Sequence, residues 1–501
     1  MKNLTFKFLG LFMMILLLIG GCELQKEKKM VTLPVTDDPT VSFRLWFKVG
    51  SQNDPVGKEG LAVLTAHLIT EGATQKHSLE EINEILYPMA ARIQNQVDKE
   101  MTIIYGRTHQ DNLEAFYSIL KEVVQEPAFK EEDFNRIRTD LINYVDKTLR
   151  YADDEELGKA VLSEFIFRGT IYEHLEEGYI SSLKNITVDD VKDFYQKYYT
   201  ADNLTIGLGG GFTPEFAREV EKDFQTLPSG KPGFAPKPEP DPIHGLEVLI
   251  VEKDAQATAI SFGFPIDVLR GSRDYYALAV ANSWLGEHRN SSSHLYQVIR
   301  EARGLNYGDY SYIEHFPMGG RRQFPPANVA RRQQIFEVWI RPVPNDAKLF
   351  AFRAALRELQ KLVDNGMSPE DFELTKKFLK NYILHYAPTT MMKLGYALDD
   401  VFYGIEGSHL EKFKQILDQL TLEDVNQAIK KHLQYQNIKV VFVTNEAEKL
   451  KEMLVKNLPS PITYTTPKPQ EVLDEDVEIA NYPLKVKPEN VKIVQLDELF
   501  Q

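Results

Sequence analysis

The chain has 501 residues, with 58 Lys+Arg against 73 Asp+Glu, a net charge of −15 and a single cysteine. That balance removes the electrostatic footprint of a nucleic-acid binder, and one cysteine excludes an intrachain disulfide framework. With 43% hydrophobic and 26% charged residues the composition is that of a folded globule, long enough for more than one domain.

In chain order, Lys2 and Lys7 precede an uncharged apolar run from Phe8 to Gly21, then Cys22. The run is too short for a membrane span and reads as a signal peptide over 1–21. Leu18-Ile19-Gly20-Gly21 before Cys22 resembles the lipobox of bacterial lipoproteins, which implies lipidation of Cys22, a cell-envelope location and a bacterial membrane held through the lipid. Removing 1–21 takes away two lysines and no acids, so the mature chain is still more negative. Residues 22–38 read as a polar tether, with Lys26-Glu27-Lys28-Lys29.

Val41, Phe43, Leu45, Phe47 and Val49 alternate with Ser42, Arg44, Trp46 and Lys48, predicting a half-buried strand. A helix is expected from about Lys58, another behind a capping box of Ser78 and Glu81, and a strand over Ile103–Arg107. Amphipathic helices are expected at Leu113–Val124, Glu131–Leu149 and Glu155–Phe167. Gly207 to Gly211 follows a strand, lacks any phosphate-loop order, and reads as a turn. Six prolines from Pro228 to Pro242 mark a linker, 228–244.

The segments 39–227 and 245–449 read as copies of one another. Thr187 opens a helix and Asn203 precedes a strand, and Thr421 and Asn437 repeat both at the same spacing. Asp133-Phe134 with Asn143-Tyr144 matches Asp371-Phe372 with Asn381-Tyr382. The second copy is expected to hold strands near 247–252, 257–265, 307–313 and 335–341. Residues 450–501 read as a C-terminal arm wrapping the body. The expected fold class is α+β/α/β, with two tandem homologous domains, each a sheet with helices packed on it. Ser291-Ser292-Ser293 reads as a loop entering a helix, and Met391-Met392 as core.

Gly50-Ser51, Gly60-Leu61-Ala62 and Gly72-Ala73 resemble the pitrilysin/insulinase family of zinc peptidases, which includes the mitochondrial processing peptidases. The resemblance implies a clamshell of the two halves. In that family a helix bears H-x-x-E-H, two His on one face for zinc and a Glu acting on metal-bound water, with a third ligand from a later helix. Here the run is Val63-Leu64-Thr65-Ala66-His67. Val63 replaces the first ligand, Ala66 replaces the base, and only His67 remains. The third-ligand position falls at Asn143 or Tyr144, and Gln94 and Asn95 depart from the family's substrate-facing strand. His67, with Glu71 or His77 nearby, reads as a partly buried histidine on an amphipathic helix rather than as part of another metal site.

The second half carries Leu295-Tyr296-Gln297-Val298-Ile299-Arg300-Glu301-Ala302-Arg303-Gly304-Leu305-Asn306-Tyr307, similar to the family's L-x-x-x-(I/L)-R-E-x-x-G-L-x-Y. The resemblance implies that Arg300 donates to a substrate carbonyl and Tyr307 to the developing oxyanion. Gly304 as helix stop and a strand from Tyr307 would set both on one rim; the plainer reading pairs Arg300 with Glu301 or another acid. The expected function is a noncatalytic subunit of a zinc-peptidase complex, completing the site of an H-x-x-E-H partner that holds the zinc, with no cofactor on this chain and no nucleic acid. An acidic chamber wall would favour basic, extended peptides. A catalytically dead peptide-binding or chaperone-like lipoprotein is the alternative; an autonomous peptidase finds no nucleophile–base constellation in the sequence.

Overall fold

The computed structural model describes residues 29–233, 235–317 and 322–501. The signal segment and Cys22 lie outside the described residues. The first half runs β1 (Met30–Pro34), β2 (Thr40–Phe47), α1 (Leu61–Glu71), α2 (Leu79–Leu86), β3 (Arg92–Val97), β4 (Thr102–His109), α3 (Leu113–Gln125), α4 (Glu131–Asn143), α5 (Asp154–Phe167), α6 (Ile180–Asn185), α7 (Val188–Tyr198), β5 (Leu204–Gly210) and α8 (Pro214–Phe224). The second runs β6 (Leu246–Glu252), β7 (Ala257–Ile266), α9 (Arg273–Gly286), β8 (Asp309–Tyr312), β9 (Gln334–Pro344), α10 (Lys348–Asn365), α11 (Pro369–Tyr382), α12 (Thr390–Phe402), α13 (His409–Gln419), α14 (Leu422–His432) and β10 (Ile438–Thr444). The arm contributes α15 (Ala447–Val455), α16 (Gln470–Ala480) and β11 (Val491–Gln495).

Each half is one mixed sheet with helices on it: a five-stranded sheet ordered β1-β5-β2-β4-β3 and a six-stranded sheet ordered β11-β6-β10-β7-β9-β8. The repeat is visible at matching caps. Thr187 accepts from the Asp190 amide and Asp190 from that of Thr187, as Thr421 and Asp424 do. The Ser78–Glu81 box forms in the same way.

Four expectations change. Residues 30–34 are not tether: they form β1, parallel to β5, with Val31 buried. The arm ends likewise in β11, parallel to β6, so each sheet gains one edge strand from a chain end. The helix expected to run through Leu149 leaves α-geometry at Tyr144 and continues to Ala152 as a π-helical segment. Met392 is exposed rather than core.

The fourth change concerns β2, which is buried on both faces. Val41, Phe43, Leu45 and Phe47 enter the first half's own core, while Ser42, Arg44 and Trp46 are also buried because α12, from the second half, covers them. Leu394 and Leu398 of α12 cluster with Trp46, and Arg44 donates to the Met391 carbonyl at 3.1 Å and Asn328 Oδ1 at 2.5 Å. The residues read as a glycine turn are the platform for this helix: Gly207 and Gly209 lie in β5, where a Cβ would sit 3.3 Å from Leu394 and Leu398, or 3.0 Å from Thr390. The exchange is reciprocal. Helix α5 of the first half packs on β7 and β10, with Leu157, Val161 and Leu162 against Val251, Ala259, Val441 and Val443.

Candidate functional site

Helix α1 is set by a buried Asp54, whose carboxylate accepts from the Gly60 amide at 2.7 Å and the Ala62 amide at 2.8 Å. Gly60 takes a left-handed φ of 97°, and a Cβ there would lie 2.4 Å from the Glu177 carbonyl. This fixes the helix face where the family motif would stand. Val63 and Ala66 are both buried apolar groups. His67 is partly exposed and its Nδ1 lies 2.8 Å from Glu71 Oε1. The His67 contact, aided by Arg136, holds the Glu71 carboxyl below its ordinary range against partial burial. His77 is engaged elsewhere, with Glu122 at 2.8 Å. Asn95 of edge strand β3 donates to Thr70 Oγ1 at 2.7 Å, tying that strand to α1.

The third-ligand position is no better supplied. Asn143 is an exposed residue at the end of α4, and Tyr144 turns toward a cavity where burial, with Glu177 and Glu156, pushes its phenol up and keeps it protonated. One imidazole already bound to a carboxylate, a valine, an alanine and an amide or phenol do not fit zinc, which takes Cys, His or carboxylate ligands in tetrahedral array. Among the described residues no group of three or more His, Cys, Asp or Glu is placed to hold a metal. With Ala66 at the position of the Glu, the motif has no carboxylate to take the proton of an attacking water.

Between the halves lies a cavity of about 240 Å³, walled by Gln96 and Lys99 near β3, Lys159 and Glu164 on α5, and Glu337 and Trp339 on β9. Lys159 pairs with Glu155 and Glu156 and stands 3.6 Å over the Trp339 ring. Arg331 bridges Asp98 and Glu176, and Lys99 also reaches Glu176 at 3.2 Å. Burial raises Glu176, yet Lys99 and Arg331 hold it well below the carboxylate range. At Glu164 and Glu337 burial outweighs the nearby cations, Arg168 for the first and Lys159 for the second, and pushes each carboxyl up to about 7. Burial likewise depresses His174 and His315 to about 4. Sequence reasoning missed this network because its members share no motif; the acid run Glu173 to Glu177 was the one visible signal.

Arg300 and Tyr307 are brought together, with the guanidinium carbon 5.8 Å from the phenol ring centroid. Arg300 ends a short π-helical turn, Tyr296–Glu301, which Gly304 stops with a φ of 70° and an amide bonded to the Arg300 carbonyl. Tyr307 is not yet in a strand: β8 starts at Asp309, because Asn306 folds its side chain onto Asp309 at 2.7 Å and onto the Arg341 carbonyl at 3.1 Å. The consequence is exposure, 77% for Tyr307. The alternative pairing of Arg300 with Glu301 or another acid is not found among the described residues, and its buried Nε lacks a hydrogen-bond partner. Neither residue lines the cavity onto which Tyr144 and Glu177 open.

Residues 29–173 match the model of the insulinase family, peptidase family M16, and residues 185–379 match the peptidase M16 inactive domain. An uncharacterized zinc protease, YmxG, of Bacillus subtilis is 22% identical over 79% of this chain and 94% of that protein. The non-peptidase homolog YmxG of Helicobacter pylori is also 22% identical, over 81% of this chain and 90% of its own. Among solved structures, a peptidase M16 inactive domain from Pseudomonas fluorescens superposes with a TM-score of 0.74 at 21% identity, covering 84% of this chain and 96% of that one. A protease from Helicobacter pylori gives 0.70 at 19%, covering 84% and 98%. With two successive family domains matched along most of its length and the same fold found in its relatives, the chain belongs to the M16 peptidase family, as a homologue whose own zinc motif is degenerate.

Proposed function

We propose that the chain is a noncatalytic M16 subunit that completes the active site of an H-x-x-E-H partner in trans. The observation that carries this reading is the pair of exposed Tyr307 and half-buried Arg300, the latter in no ion pair with a carboxylate among the described residues and neither lining the cavity between the halves. Arg300 offers planar donors to a peptide carbonyl, and the Tyr307 phenol a proton-bearing donor to the oxygen that turns anionic; both act only where a second protein supplies the metal and the base. Zinc belongs to the partner, since the residues at 63, 66, 67 and 144 here are unsuited to it. Basic, extended peptides suit the acidic chain. Cys22 supplies a lipid anchor in the bacterial cell envelope.

The relative named as a non-peptidase homolog is consistent with this reading. The test is co-expression with an H-x-x-E-H relative. Arg300→Ala and Tyr307→Phe should each lower kcat about a hundredfold or more while the two chains still copurify. Full peptide cleavage by the lone chain with stoichiometric zinc would sink the proposal. For the anchor, Cys22→Ala should move the protein from the membrane to the soluble fraction.

A further inference from the structure

The segment bearing Arg300 and Tyr307 is gripped from outside its own half-domain. Arg303, two residues beyond the π-helical turn and buried, donates from Nε to Asp476 at 2.7 Å and from Nη2 to Glu475 at 2.8 Å, both on α16 of the C-terminal arm. Its Nη1 donates back to the Val298 carbonyl at 2.8 Å, so one guanidinium joins the arm to the turn that carries Arg300. Lys468 of the arm adds a bond to the Ala302 carbonyl at 2.7 Å, and Tyr464 donates to the second Asp476 oxygen at 2.7 Å. Helix α16 is itself seated on α10 through Arg357, which reaches Glu475 at 2.9 Å and Glu478 at 2.5 Å.

We infer that Arg303 is a positioning residue and that the C-terminal arm, through Glu475, Asp476 and Lys468, sets the orientation of Arg300 and Tyr307. π-Helical turns are rare and, where they occur, frequent at functional sites. Here two carbonyls in and beside that turn, those of Val298 and Ala302, are satisfied by a guanidinium held from the arm and by an ammonium on it. The fork geometry of arginine makes this a directional clamp rather than a diffuse attraction. The inference rests on the functional reading only for its consequence on turnover; the clamp itself is a property of the single chain.

The experiment therefore has two arms on the full chain. In hydrogen exchange, Glu475→Gln/Asp476→Asn should speed the amides of 298–309 about tenfold or more, leaving β9 and α10 amides unchanged. Unchanged exchange in 298–309 overturns the inference. If that variant instead loosens the whole second half, Lys468→Met decides: acceleration confined to 300–307 supports the clamp, and none overturns it. With the co-expressed H-x-x-E-H relative, the Gln/Asn variant should lower kcat about tenfold with KM little changed, while Glu478→Gln, which loosens the seat of α16 on Arg357 without touching Arg303, Glu475 or Asp476, should not. Equal losses for both variants would mean general softening and overturn the positioning role. An Arg300→Ala variant without effect on turnover would instead defeat the functional reading and leave the exchange result standing.

Discussion

Arg331 of the second half holds Asp98 of the first in a two-pronged pair, Nε at 2.6 Å and Nη2 at 3.0 Å, with both side chains buried. Its Nη2 also reaches Glu176 at 2.9 Å, so one cation bridges two carboxylates across the boundary between the sheets, with Lys99 as the second cation on Glu176. Such a site is costly to break from one side, since the remaining charges stay desolvated.

Arg331→Met should therefore cost about 3–5 kcal/mol in a denaturant titration. The double variant Arg331→Met/Asp98→Asn should recover part of that loss, because one orphaned charge is removed with its partner. A single-variant cost below about 1 kcal/mol would show the pair to be energetically idle.

Glu337 gives a pH-dependent prediction. Burial raises its pKa from 4.5 to about 7, so between those values the folded chain binds a proton that the unfolded chain has released. Its contribution to stability falls as pH rises from about 4.5 to about 7 and stays low above that. Glu337→Gln should accordingly be more stable than wild type at pH 8 by up to about 3 kcal/mol, with the advantage gone near pH 4.5. Melts at the two pH values measure the difference, and an equal shift at both would refute it.

The exchanged helices are predicted to tolerate methyl groups unequally. A Cβ on Gly395 of α12 would sit 2.7 Å from Ala327 Cβ and 3.2 Å from Arg44 Cζ, and that guanidinium is already fixed. Gly395→Ala should cost about 1–3 kcal/mol. At Gly158 of α5 the nearest atoms are Ser261 Oγ at 3.3 Å and Val443 Cγ2 at 3.6 Å. There the helix-propensity gain of about 1 kcal/mol offsets the squeeze, so Gly158→Ala should stay within about 1 kcal/mol of wild type. Thermal denaturation of the two variants side by side tests the ranking.

Metal removal should do nothing to the lone chain. With Val63 and Ala66 in place of ligand and base, EDTA should leave its Tm unmoved, and elemental analysis after dialysis should find well under one zinc per chain. A chelator-induced drop in Tm of several degrees would point to ligands outside Val63, Ala66, His67 and Tyr144.

Local signals were the legible ones. The repeated Thr–Asp caps, the Ser78–Glu81 box and the loss of H-x-x-E-H are short-range chemistry, written in adjacent residues. Which sheet a helix joins is not. The apolar stripe of α12 states that a face is buried, yet nothing in 390–402 says it will cover Arg44 and Trp46 of the other half. The glycines of β5 were misread for the same reason, since their purpose lies in the side chains of Leu394 and Leu398. Arg300 and Tyr307 stood out as a motif, but the arm that grips their turn comes from residues far along the chain and leaves no local trace.

The crossing of α5 and α12 also dictates an order of assembly during synthesis. When the first half has left the ribosome, Leu157, Val161 and Leu162 still await strands β7 and β10, and β2 still lacks its cover from residues 390–402. Closure is later still, because Leu499 and Phe500 accept hydrogen bonds from Arg150 and the Ile180 amide. A nascent chain of this design must carry exposed apolar surface until the residues near 500 have emerged, which lengthens the interval in which that surface can misassociate.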